Sequence, residues 1–170
     1  MKKDNSLKKF KYKVAAFYNF ISIIDEEILL IKEELTNLAT NQKIKGTILL
    51  ASEGVNGTIC GTENSIAQFI ETLEKLLKVS DINVKYSWSE KQAFRRFKAR
   101  KKKEIVTIGL KQINPTKSVG KYIKAGEWNK FLEDPDSVVI DTRNEYEIKI
   151  GNFAGALNPQ TSSFREFPAW

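Results

Sequence analysis

The sequence predicts an α+β fold, a ferredoxin-like domain with four strands in an antiparallel sheet and two helices on one of its faces. Three observations lead there. Strand-like segments rich in aromatic and β-branched residues alternate with helical segments in the order β-α-β-β-α-β. Each helical segment carries apolar residues at a spacing that gives one buried face. The second and third strands are joined by the short Ser52-Glu53-Gly54 turn into a hairpin.

The first strand is Tyr12 to Phe20, whose aromatic and branched residues suit a pleated, half-buried surface. Asp25 is placed to cap the following helix, with Glu26 and Glu27 against its N-terminal dipole. Ile28, Ile31, Leu35 and Leu38 form that helix's apolar face. Lys45 to Ala51 is the second strand and Val55 to Gly61 the third. Gly54 and Gly57 open backbone conformations closed to other residues, and Asn56 tolerates left-handed geometry. Such a hairpin either admits a phosphate or base close to its backbone or is a tight turn fixed by a side-chain hydrogen bond; the second reading needs fewer assumptions. Thr62 or Asn64 starts the second helix, with a stripe of Ile66, Phe69, Ile70, Leu73 and Leu77. Asn83 to Trp88 is the fourth strand.

Beyond it the composition changes. From Lys91 to Lys124 the chain is crowded with Lys and Arg, Glu104 being the one acid among them. This stretch carries a larger positive excess than the +7 of the whole chain, and it attracts polyanions by Coulomb force and counterion release. A solvated surface is the alternative. Phe94, Phe97 and arginines interleaved with the lysines favour nucleic acid, and Arg95, Arg96, Lys98, Arg100, Lys101, Lys102 and Lys103 are the candidate RNA-contacting residues. The run Phe97 to Lys103 is too charged for a core and is placed on a surface connector, although Glu104 to Leu110 is strand-like. Asn114, Pro115 and Gly120 mark irregular chain. A short helix from Glu127 to Leu132 stops before Asp134-Pro135, and Val138 to Ile140 forms a further strand. The expected organisation is a basic tail over 1–11, the ferredoxin-like domain over 12–90, a basic connector over 91–117 and a second, incomplete domain over 118–170.

Cys60 is the single cysteine and histidine is absent, so no internal disulfide is possible and a thiolate or imidazole metal site is not expected. The missing imidazole also removes the usual general base near neutral pH. Carboxylates, lysine, tyrosine and one thiol make a poor catalytic inventory, which fits a binding portion better than an active site. Cys60 lies inside the third strand with no local cation, so it is expected to be a buried small hydrophobe. No apolar run approaches the roughly 20 residues of a membrane span, and the basic N-terminus lacks the apolar stretch of a secretory signal. The chain reads as cytoplasmic, with no membrane or metal partner.

Val138-Val139-Ile140-Asp141-Thr142-Arg143-Asn144-Glu145-Tyr146-Glu147, followed by Gly151 to Pro159, resembles the opening of a rhodanese domain. With the Ser-Glu-Gly-Val-Asn-Gly-Thr hairpin, Phe94-Arg95-Arg96-Phe97, Lys103 to Thr107 and Phe164-Arg165-Glu166-Phe167-Pro168 in the same order, nearly the whole chain is similar to the rhodanese-containing tRNA uridine hydroxylases. The resemblance implies an acylphosphatase-like N-terminal domain followed by the start of an α/β rhodanese domain. It further implies oxygen-dependent hydroxylation of wobble uridine 34 to 5-hydroxyuridine, with tRNA as partner and molecular oxygen as co-substrate, although no flavin or iron site is identifiable in these residues. Asp141 and Arg143 match the rhodanese strand-end motif, where their expected role is to pair and fix the loop. The family's catalytic cysteine loop is expected beyond Trp170, and Cys60 does not match it, so the 170 residues are expected to be inactive alone. A non-catalytic RNA-binding remnant and a rhodanese-type sulfurtransferase relative are the competing readings.

Overall fold

The computed structural model describes residues 11–110 and 120–170; the basic tail before them, and the irregular stretch with Asn114 and Pro115, lie outside the described residues. The chain divides into two units, one ending at Val106 and one beginning at Thr107. The first contains β1 (Tyr12–Phe20), α1 (Glu27–Asn41), β2 (Lys45–Ala51), β3 (Gly54–Gly61), α2 (Glu63–Leu77), β4 (Val84–Ser89) and β5 (Phe97–Lys101). The sheet order is β4-β1-β3-β2-β5. β1 lies antiparallel between β3 and β4, and β2 antiparallel beside β3.

One face of this sheet is covered by the helices. Ala15 and Phe17 of β1, Ile48 and Leu50 of β2, and Val55 and Ile59 of β3 point into it and are buried. Opposite them, α1 buries Ile28, Ile31, Leu35 and Ala39, and α2 buries Ile66, Phe69, Ile70, Leu73 and Leu77. Each fully enclosed Leu, Ile or Phe contributes roughly 1.5–3 kcal/mol through removal from water, which makes this layer the main source of stability. Gly54 sits at φ +140, where a β-carbon would lie 2.0 Å from the Asn19 carbonyl oxygen, so β3 starts against β1 only with glycine there.

The two helices start differently. Thr62 caps α2 in extended geometry, accepting a hydrogen bond from the Ser65 N–H at 3.3 Å, and Lys78 ends it in the left-handed region. Asp25, expected to cap α1, does not: Glu26 occupies the N-cap position in helical conformation with no side-chain cap. The Asp25 carboxylate accepts instead from Lys101.

The basic run departs most from expectation. Residues 97–101 are not a connector but a fifth strand, β5, parallel to β2. An edge strand of a sheet covered on one side needs apolar residues only at alternate positions, and charged side chains on the other face also protect the edge from pairing with another chain. Phe97 supplies the inward position, meeting Phe69 edge-on at 6.0 Å between centroids. Glu104 to Leu110, expected as a strand, is irregular. Its anchor is Ile105, buried on the face away from the helices.

The second unit holds a 3-10 turn (Ala125–Glu127) leading into α3 (Trp128–Glu133), then α4 (Glu145–Ile148), and a 3-10 turn at Phe164–Glu166. The strand expected at Val138 to Ile140 is reduced to one parallel bridge between Ile140 and Leu157, because among the described residues only Leu157 offers ladder partners, to Val139 and Asp141. Val138 is 70% exposed. Among the described residues of this unit only Pro159 and Thr161 are buried. No helix among the described residues is long and apolar enough to cross a membrane.

Candidate nucleic-acid interface

Strand geometry divides the basic run between two faces. In β5 the register pairs Lys98 with Thr47 and Arg100 with Leu49, so both cations stand on the face of the sheet away from α1 and α2. Phe97, Ala99 and Lys101 face the helices. Lys101 is thereby brought to the start of α1, where it pairs with Asp25. The Lys102 N–H donates to the Leu50 carbonyl at 2.8 Å and the Gly46 N–H to the Arg96 carbonyl at 3.1 Å, so ladder-like bonding extends past both ends of β5. Arg95, Arg96, Arg100, Lys101, Lys102 and Lys103 are exposed, and Lys98 is half-buried. Of these seven, Lys101 alone has an ion pair to a carboxylate among the described residues.

The hairpin with Gly54 and Gly57 is not an anion cradle. A β-carbon on Gly57 would meet the Phe17 ring at 2.9 Å and Ile48 at 3.1 Å, so the space the glycine leaves is filled by core. The polar side chains of the hairpin point elsewhere. Glu53 Oε1 accepts from the Ile105 N–H at 2.7 Å, and Asn56 Nδ2 donates to the Ile105 carbonyl at 3.0 Å. These two bonds clip the segment after β5 onto the open sheet face. The side-chain hydrogen bond expected within the turn is replaced by these two bonds to Ile105, 49 residues beyond Asn56 and 52 beyond Glu53, a partner that no local spacing announces.

Cys60 is fully buried. The chain crossing from β4 to β5 lies over it: Gln92 Nε2 donates to the Cys60 carbonyl at 3.2 Å and the Ala93 N–H points at Sγ at 3.5 Å. No group of His, Cys, Asp and Glu able to hold a metal occurs among the described residues.

In the second unit Arg143 folds back on Asp141. Nε donates to Oδ1 at 2.9 Å, Nη2 donates to Oδ2 at 2.6 Å, and the same Nη2 reaches the Gly151 carbonyl at 2.6 Å. The Arg143 N–H also donates to Oδ1. The guanidinium fork holds the Asp141 carboxyl below the usual aspartate range, despite partial desolvation, and the carboxylate in turn holds Arg143 protonated above its ordinary value. Beside the pair lies an open cavity of about 620 Å³, lined by Trp128, Asp141, Arg143 and Phe153 among others, with Trp128 stacked on Phe153 at 5.0 Å. Both charges are already engaged with each other, so the pair shapes this cavity's wall rather than offering a free acid or base.

Residues 12–105 match the family described as the UPF0176 acylphosphatase like domain. Over all 170 residues the chain is 95% identical to a protein of Prochlorococcus marinus (strain NATL2A) named tRNA uridine(34) hydroxylase, of which it covers 53%. It is 50% identical over 159 residues to a protein of the same name from strain MIT 9303, covering 94% of this chain and 51% of that one. The chain thus spans about half the length of the curated relatives it matches. A solved acylphosphatase from Coxiella burnetii aligns with 59% of this chain and all of its own, at 18% identity and a TM-score of 0.38, a likeness too loose to add to the fold described above. With that family's match running from the start of β1 to the Ile105 anchor, the chain belongs to the UPF0176 acylphosphatase-like domain family.

Proposed function

We propose that these 170 residues are a portion of a tRNA-modifying enzyme that hydroxylates wobble uridine 34 to 5-hydroxyuridine, taking the oxygen from molecular oxygen. The observation that carries this reading is the 95% identity, along the whole chain, to a relative named tRNA uridine(34) hydroxylase. In this reading the first unit handles RNA. Exposed Arg95, Arg96, Arg100, Lys102 and Lys103, with half-buried Lys98, neutralise phosphates, and Lys101 contributes less because Asp25 holds it. The residues from about 118 begin a rhodanese domain, in which Asp141 and Arg143 fix the loop after the Ile140–Leu157 bridge. The nucleophilic cysteine is assigned to the remainder of the longer protein, since Cys60 is enclosed beneath Gln92 and Ala93 and closed to a substrate. The reaction is assigned to the cytoplasm, with its tRNA substrate.

The test is nucleoside mass spectrometry of tRNA from cells lacking the longer protein, with and without the gene restored. 5-Hydroxyuridine is expected to vanish and return. Its persistence at full level in the deletion would overturn the reading. The 170-residue chain, incubated alone with tRNA, is expected to form none.

A further inference from the structure

Resting on the reading of this chain as an RNA-handling portion, we infer that the face of the first unit's sheet away from the helices is a seat for single-stranded RNA, which crosses the strands in a trough from Lys85 on β4 to Lys98 on β5. The register builds that trough. Lys85 pairs with Ala16, Ala16 with Thr58, Thr58 with Thr47, and Thr47 with Lys98, one row across all five strands. Four inter-strand steps of roughly 4.8 Å place the two lysines about 19 Å apart. Between them the floor is made only of small side chains.

Both sides of the row are raised. Toward one end of the strands, Gln92 and Ala93 lie over Cys60. Toward the other stand Tyr18, Leu49 and Arg100, with Ile105 clipped beside Asn56. The rows bounding the floor are about 14 Å apart along the strands, wide enough for one polynucleotide strand and too narrow for a duplex.

Charge selects the occupant. The strand positions on this face carry Lys45, Lys85, Lys98 and Arg100, and no carboxylate. Glu53, at the rim, is bonded to the Ile105 N–H, and Glu90 and Glu104 nearby have partners of their own. Tyr18, in Arg100's row but three strands away on β1, is half-buried with its ring edge-on to Phe20 at 6.2 Å, and gives that wall an aromatic edge. The exposed aromatic pair, Tyr86 and Trp88, is a poorer seat. It stands on the helix side, where Lys13 lies over both rings and is already bound to Glu63.

The experiment is filter binding of the 170-residue chain to oligouridine, to a duplex RNA of equal length and to tRNA, at several salt concentrations. Thr47→Glu puts a carboxylate in the middle of the floor; Gln68→Glu makes the same charge change on exposed α2. Thr47→Glu is expected to weaken oligouridine binding about tenfold, and Gln68→Glu to leave it nearly unchanged. The double variant Lys85→Ala, Lys98→Ala, which removes no core group, is expected to lower the salt slope by about 1.4, two single-strand contacts. Equal effects of Thr47→Glu and Gln68→Glu in chains with unchanged circular dichroism would overturn the inference, as would tighter binding of the duplex than of oligouridine. Either result leaves uridine hydroxylation by the longer protein to its own nucleoside assay, so the two readings fail separately.

Discussion

At the scale of single residues, contacts of a few ångströms separate positions that look alike in sequence. A β-carbon on Gly46, at φ +143, would lie 2.2 Å from the Thr58 carbonyl oxygen, whereas one on Gly126 meets nothing within 4 Å. Gly46→Ala is therefore expected to cost about 3 kcal/mol, and Gly126→Ala to be neutral or to stabilise by a few tenths, read from urea denaturation. Equal midpoints for the two variants would contradict the close packing of β2 on β3. Asp141 gives a titration prediction. Its native carboxyl is held below the free value of about 3.9 by the Arg143 fork. The stabilisation from the pair is complete above that free value and is lost as pH falls through the lower native one. Carboxyl-carbon NMR is expected to show a depressed midpoint in the native chain and a normal one in Arg143→Ala. A midpoint unmoved by Arg143→Ala would show that the fork does not set it.

At the scale of elements, β5 joins stability to the proposed RNA contact in one strand, and the two can be separated. Phe97→Ala removes the inward anchor beside Phe69 and is expected to cost about 2 kcal/mol, less than a fully enclosed phenylalanine. The triple variant Lys101→Ala, Lys102→Ala, Lys103→Ala changes only exposed side chains and is expected to shift stability by less than about 0.5 kcal/mol. It should nonetheless flatten the salt dependence of RNA binding by roughly 1.4 to 2.1, the lower figure if Lys101 stays with Asp25. An unchanged slope would assign those lysines to the solvated surface. β5 also shows where sequence legibility stops. α2 carries its period openly because it has a full apolar stripe, and β1 and β2 are legible from their aromatic and β-branched content. β5 has five residues, of which Phe97 is the one strong apolar signal, and the charge around it outweighs that signal in any local window. Its partner β2 begins 52 residues earlier, so the pairing is invisible to spacing. The basic residues of the candidate site were legible as a list; their division between two faces was not, because it depends on a strand nothing local announces.

At the scale of the molecule, the two units differ in how much interior they own. The first buries two helical stripes against three strands. The second exposes Val138, Ile150, Phe153 and Leu157, and is held by local bonds such as the Asn144–Glu147 cap and the Asp141–Arg143 fork. Limited proteolysis is therefore expected to cut first after residue 106 and to leave a resistant core from β1 to Ile105. Loss of the first unit before the second would reverse this ranking. Exposed apolar side chains of this kind also predict that the chain associates at high concentration more readily than its first unit alone.

The one thiol, sealed beneath Gln92 and Ala93, makes the protein its own stopwatch. A thiol reagent can reach Sγ only when the crossing chain lifts, so the labelling rate divided by that of an unfolded cysteine gives the opening equilibrium of that lid. An oligonucleotide seated against the lid would slow the clock without touching the sulfur, and a denaturant series would tell whether the lid lifts alone or only with the sheet.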